Sequence, residues 1–87
     1  MRCFDLTVAS PDGNYFEGKA EMLVVRGAEG ELAVMAGHVP FVTTVMPCSC
    51  KVVTDEGEER LAETKGGILT VSDNKVTLLS GTFRWSV

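Results

Sequence analysis

Eighty-seven residues, 45% of them hydrophobic, with eight Lys and Arg against twelve Asp and Glu, describe one small domain of formal charge −4. That balance excludes the basic surface of a protein that neutralises phosphates, and the apolar share excludes a disordered chain. A chain of this length buries only about 60–65% of its unfolded surface, which leaves room for one core. No apolar run nears the roughly 20 residues of a membrane span, and "MRCFDLTV" places Asp5 where a signal peptide would stay apolar, so a soluble chain without an export signal is expected. The odd set Cys3, Cys48 and Cys50 reads as thiols in a reducing compartment, with no disulfide expected.

"CFDLTVA" alternates Phe4, Leu6 and Val8 with Asp5 and Thr7, the period of a half-buried strand. "SPDGN", Ser10 to Asn14, ends it with turn residues. "KAEMLVVR" is more continuously apolar and is expected to be covered on both faces, with "GAEG" at Gly27 to Gly30 closing it. "ELAVM" follows, then "AGH", then "VPFVTTV" with Pro40 near its start, where a missing N–H matters least. "CSCKVVT" at Cys48 to Thr54 is the next strand, and "DEGEE" at Asp55 to Glu59 is a polar hairpin loop into "RLAET". Gly66-Gly67 opens "ILTV", "SDNK" at Ser72 to Lys75 turns into "VTLLS", and "TFRW" comes last. Turn signals every ~8–12 residues and no helical period predict an all-β sandwich or barrel, mostly antiparallel.

His38 is the sole histidine, a residue type that serves as base or metal ligand near neutral pH. A base needs a second placed group, and a metal site needs about three or four ligands. Glu29 and Glu31 do not stand at HxH or HExxH spacing from it, so a structural or interface role is favoured. Cys48 and Cys50 share one face of their strand, and burial as ordinary thiols is the favoured reading. A metal or small-ligand site built from them with His38 is the alternative. Asp55, Glu56, Glu58 and Glu59 around Gly57 read as a solvated turn without EF-hand spacing. The glycines at Gly27–Gly30 and Gly66-Gly67 open no helix and carry no P-loop lysine, so they serve turns or close backbone packing. Tyr15, Phe16, Phe83 and Trp85 are too scattered along the chain for the stacking face of a nucleic-acid binder. The residues alone describe a β-sandwich with no evident active site, which points to a binding or structural role.

Together, "EGELAVMAGHVPFVTTVMP" and the later "GGILTVSDNKVTLLS" resemble the N-terminal β-sandwich of the epsilon subunit of the rotary proton-translocating ATP synthase, called delta in mitochondria. Glu29, Gly30, Glu31 and Leu32 match the start of its pattern, and Gly37, His38, Pro40 and Thr43 its P-G-H-x-P centre and threonine. Gly66, Gly67, Val71, Val76, Thr77 and Leu79 match its end, and Phe16 and Gly18 its opening strands. Ala36 stands where proline usually precedes Gly-His, and Cys48 where the turn after Pro47 usually has glycine.

The resemblance implies an antiparallel ten-stranded β-sandwich of two five-stranded sheets over residues 1–87, with the family's C-terminal helical hairpin absent. It implies a non-catalytic central-stalk subunit that couples proton-driven rotation to ATP synthesis, without inhibitory or ATP-sensing helices. The implied partners are the gamma subunit and the membrane c-ring, with no nucleic acid, no cofactor and no metal. The implied location is the cytoplasmic face of an energy-coupling membrane, a bacterial plasma membrane, reached only through the c-ring. By motif, Glu29 and Glu31 would face the c-ring, while Ser10, His38 and Thr43 would face gamma.

Overall fold

The structure, a computed structural model, describes residues 2–37 and 40–86, so His38 lies outside the described residues. Within them every regular element is a strand. The strands are β1 (Phe4–Ser10), β2 (Gly13–Gly27), β3 (Gly30–Met35), β4 (Phe41–Val45) and β5 (Cys48–Thr54). They continue with β6 (Glu59–Thr64), β7 (Gly67–Ser72), β8 (Lys75–Leu79) and β9 (Phe83–Trp85). Each run expected from the sequence is present. The first half of β2 is the exception, because "GNYFEGK" carries one inward apolar residue among exposed neighbours and shows no alternation.

The ladder runs β1-β8-β7-β4-β2-β5-β6-β9, with β3 on β2 and a second pairing of β1 with β2. It is one nine-stranded sheet, not two five-stranded ones, and it is mixed, since β1 and β8 run parallel with Leu6 opposite Val76. The physical cause is β2. Its fifteen residues pair with β1 from Gly13 to Ala20, with β5 from Ala20 to Val24, and with β3 from Met22 to Gly27. An extended run of that length spans about 45–50 Å, but the longest dimension of the molecule is 30 Å. The strand therefore bends, with a register shift between Ala20 and Met22. Both halves of the fold are hydrogen-bonded to this one strand, which merges what would otherwise be two sheets.

Bending folds the sheet over its own apolar face. Phe4, Leu6 and Val8 of β1 meet Leu23 and Val25 of β2, Val52 of β5, Leu69 of β7 and Leu78 of β8 in a single buried cluster. "KAEMLVVR" is less covered than its composition suggested. Leu23 and Val25 are buried, whereas Met22 and Val24, pointing the other way, stay half-exposed because β3 and β5 flank β2 edge to edge and do not cover its outer face.

The turns follow their chemistry. Ser72 pairs with Lys75, and the two residues between them, Asp73 and Asn74, have φ of 51° and 60°, as a tight hairpin of this kind requires. Asn74 then ties distant chain together, accepting from the Gly37 N–H at 3.0 Å and donating to the Cys3 carbonyl at 2.8 Å. Gly66, at φ +116°, would bring a Cβ within 2.7 Å of the Val45 carbonyl oxygen, so the glycine pair serves close backbone packing, as the sequence predicted.

Candidate functional site

The β2–β3 hairpin carries the first pair of expected contact residues. Gly27 pairs with Gly30, which leaves Ala28 and Glu29 as the turn, and Gly30 takes φ +129°. Glu29 and Glu31 are both exposed. Glu31 lies across the ladder from Arg26. Glu29, Glu31 and Leu32 line a shallow depression whose other wall includes Thr43. Two carboxylates expected on one surface and a threonine expected on another therefore share a site. Thr43 points along the inward phase of β4 with Phe41 and Val45, and its hydroxyl donates to the Thr44 carbonyl at 3.2 Å.

Ser10 sits apart, in the β1–β2 turn. Its hydroxyl accepts from the Asp12 N–H and donates to the Gly13 carbonyl, both at 3.1 Å, so it holds the turn closed.

The Asp55–Glu59 loop is closed by backbone. Thr54 N–H donates to the Glu58 carbonyl at 2.9 Å, and the Thr54 hydroxyl accepts from the Glu58 N–H at 3.2 Å. Gly57 takes φ +82°, and the four carboxylates face solvent. Cys50 is fully buried and Cys48 half-buried, on one face of β5 as expected from the period of two. Burial first, then charge on Cys48 and the hydrogen bond to it, push the Cys50 thiol up to about 12. Among the described residues no three His, Cys, Asp or Glu side chains converge as a metal site.

Sequence reasoning missed two surfaces. The first is the outer face of β4, β7, β8 and β1. Here Thr44 lies opposite Ile68, Ile68 opposite Leu79, and Leu79 beside Ala9. In the adjacent row Val42 lies opposite Thr70, Thr70 opposite Thr77, and Thr77 beside Thr7. Val42, Ile68 and Leu79 remain 68%, 49% and 50% exposed on this face of small hydroxyl side chains. The signal was present in "ILTV" and "VTLL", which carry large apolar residues on both strand phases where one suffices for the core.

The second is an aromatic cluster that corrects the reading of those rings as scattered. Tyr15 and Phe83 have ring centroids 5.7 Å apart, Phe16 and Trp85 5.7 Å, and Phe83 and Trp85 5.1 Å. The Arg60 guanidinium stacks 3.8 Å above Trp85. This cluster joins the first half of β2 to β9. It fastens the folded sheet where no ladder pairs those strands.

Comparison with known proteins completes the picture. Residues 3–86 match the family described as ATP synthase, Delta/Epsilon chain, beta-sandwich domain. The ATP synthase epsilon chain of Caldicellulosiruptor saccharolyticus is 42% identical over 85 residues, covering 98% of this chain and 61% of that protein. That of Ruminococcus albus is 37% identical over 87 residues, covering 99% of this chain and 64% of the relative. The chain thus spans under two thirds of the length of these relatives. Among solved structures, a chain of the Euglena gracilis mitochondrial ATP synthase, OSCP/F1/c-ring, superposes with TM-score 0.86 at 24% identity, over 92% of this chain and 51% of that one. A chain of the Tetrahymena thermophila mitochondrial ATP synthase central stalk and c-ring superposes with TM-score 0.76 at 16% identity, over 91% of this chain and 63% of that one. At these identities the two structures speak for the fold.

Proposed function

Since the chain belongs to the delta/epsilon β-sandwich family of the ATP synthase, we propose that it is a non-catalytic central-stalk subunit linking gamma to the c-ring. It turns with both and so couples proton-driven rotation to ATP synthesis, at the cytoplasmic face of the membrane and touching lipid only through the c-ring. Among the described residues no helix is long and apolar enough to cross a membrane. The similarity to ATP synthase epsilon chains, and to a chain seen within a central stalk and c-ring assembly, supports the reading.

The observation that carries it is the exposed apolar patch of Val42, Ile68 and Leu79 among threonines. Three large aliphatic side chains, each about half exposed or more, on adjacent strands form a dry centre that a flat protein surface can cover, and the surrounding hydroxyls suit a polar rim. Gamma is the proposed occupant, with Ser10, His38 and Thr43 as further gamma-facing residues. Glu29, in the exposed β2–β3 turn, and Glu31, exposed at the start of β3, are the c-ring-facing residues. A closely packed sheet transmits strain with little compression.

Binding of the purified chain to gamma and to a gamma–c-ring complex tests this. Fully burying an aliphatic side chain contributes about 1.5–3 kcal/mol, so covering the exposed half of Ile68 contributes about 1 kcal/mol. A carboxylate forced into the interface costs more, and Ile68→Asp is expected to weaken gamma binding at least ~10-fold while lowering stability by about 1–2 kcal/mol, which leaves the chain folded at the temperature of the binding measurement. Glu31→Ala should alter stability by under ~0.5 kcal/mol while weakening c-ring attachment and coupling. Undiminished gamma affinity in Ile68→Asp would refute the patch, and absence of any gamma affinity in the unaltered chain would refute the function.

A further inference from the structure

Strand β3 is an edge. Among the described residues it pairs with β2 alone, from Met22 opposite Met35 to Gly27 opposite Gly30. Which of its backbone groups are free follows from Arg26. The Arg26 N–H donates to the Cys48 sulfur at 3.4 Å, and its carbonyl accepts from the Met46 N–H at 2.8 Å, so both groups point away from β3. Arg26 and Glu31 are therefore opposed without bonding each other, and antiparallel alternation assigns the bonded pairs to Val25 with Leu32 and Leu23 with Val34. The N–H and C=O groups of Glu31, Ala33 and Met35 point outward, and all three residues are exposed.

Native proteins blunt such edges with lysine, proline, a bulge or a very short strand. At the end of the ladder, β9 is three residues long and carries Arg84. Strand β3 is six residues long, has neither lysine nor proline, and keeps an unbroken register with β2. Its outward side borders the depression lined by Glu29, Glu31, Leu32 and Thr43, which leaves room for a further strand to approach.

We infer that β3 pairs with β3 of a second copy of this chain, antiparallel about a twofold axis at Ala33. This register sets Glu31 opposite Met35 of the second copy and Ala33 opposite itself. Every outward N–H and C=O of the three residues then meets a partner, two bonds at each of three opposed pairs, about six in all. The small side chain of Ala33 falls at the axis, and the two Glu31 residues stand roughly 14 Å apart, beyond the reach of their repulsion at physiological salt. An axis at Glu31 would set the two carboxylates against each other. An axis at Leu32 or Val34 would leave a third of the outward groups unbonded. The strand is thus complementary to its own reverse, as an isologous contact requires. A single strand pair buries less than a standard interface, so the dimer is weak, dissociating in the range of about 10 μM to 1 mM. The pairing does not rest on the function proposed above; under that function a paired copy has its Glu31 edge covered and is withheld from the c-ring.

Sedimentation velocity of the reduced chain from about 10 μM to 1 mM, with amide hydrogen exchange at both ends of the range, tests this. Expected is a concentration-dependent dimer in which the Glu31, Ala33 and Met35 amides gain protection, while those of Leu32 and Val34, already bonded to β2, change little. Ala33→Pro should abolish the dimer. Proline removes an outward N–H that β2 does not use, so the fold survives. Ala33→Lys places two ammonium groups against each other at the axis from an exposed position; it should weaken the dimer, and it decides the question where the proline variant fails to fold. A monomer throughout the range, a dimer that both variants leave intact, or protection gained outside β3 in place of it would each overturn the inference.

Discussion

Replacing Gly67 by alanine presses a methyl group onto the backbone of the neighbouring strand. A Cβ at this position would collide with the Leu79 carbonyl oxygen, and would stand 2.9 Å from the Leu79 carbonyl carbon and 3.1 Å from the Ser80 Cα. None of these atoms belongs to a side chain that could rotate away. The residue has no positive φ, so the whole penalty is steric. Overpacking costs about 1–3 kcal/mol where side chains can adjust, and a backbone-on-backbone clash belongs at the top of that range, ~3 kcal/mol. For a chain of this size the total stability is about 4–13 kcal/mol, so the loss is a large share of it. With an unfolding entropy of about 0.18 kcal/mol/K for such a chain, the melting temperature should fall by roughly 15 °C. Thermal unfolding followed by circular dichroism reads this directly. Gly81→Ala is the control, because a Cβ there meets nothing within 4 Å. A Gly67→Ala chain melting within about 3 °C of the parent would show that β7 and β8 can separate at no cost, and would refute the close-approach argument.

Ser80 and Thr64 are buried polar residues, their hydroxyls 2.7 Å apart, with the Ser80 hydroxyl 2.9 Å from both the Gly66 and Thr82 carbonyls. Ser80→Ala strands these partners and should cost about 1–3 kcal/mol in urea unfolding; a loss no larger than that of an exposed serine would contradict it. Cys50 supplies a pH dependence. Its folded value of about 12 lies above the ordinary thiol value of 9.0, so the neutral thiol is favoured by folding. That stability is fully present below pH 9 and is lost as pH rises from there toward 12, because only the unfolded chain releases the proton; the slope is at most about 1.4 kcal/mol per pH unit. Unfolding measured between pH 8 and 11 should show the decline, and Cys50→Ala should flatten it.

The strands from Phe4 to Trp85 were legible because inward positions such as Leu6 and Val71 sit between polar neighbours, because the runs are rich in β-branched and apolar residues, and because Asp73-Asn74 and Gly66-Gly67 punctuate them. Local period says nothing about which strand pairs with which. The parallel β1–β8 contact joins residues about seventy apart in the chain, as Leu6 opposite Val76 shows, and so escaped notice. The first half of β2 had no readable period, because its partner is supplied by β1 and it carries no apolar stripe, and only the family resemblance, through Phe16 and Gly18, marked it as strand. Gly27 and Gly30 marked the turn that holds Glu29, while the exposed setting of Glu31 was expected only from the family motif. Thr43 was separated from them because sequence distance conceals the contact between β4 and the end of β2, where Gly27 lies opposite Val45.

The bend at Ala20 has a mechanical meaning. A push on the tip of the β2–β3 hairpin and a pull at the β1–β2 turn act on opposite ends of one covalent strand. Load between them runs along peptide bonds through Ala20, which is paired on both edges, to Phe4 on one side and to Thr54 on the other. Two stacked sheets held only by side-chain contact could slide over each other under such a load. A continuous tie through both halves resists that shear, and twisting the domain then requires breaking ladder hydrogen bonds together rather than repacking side chains one at a time.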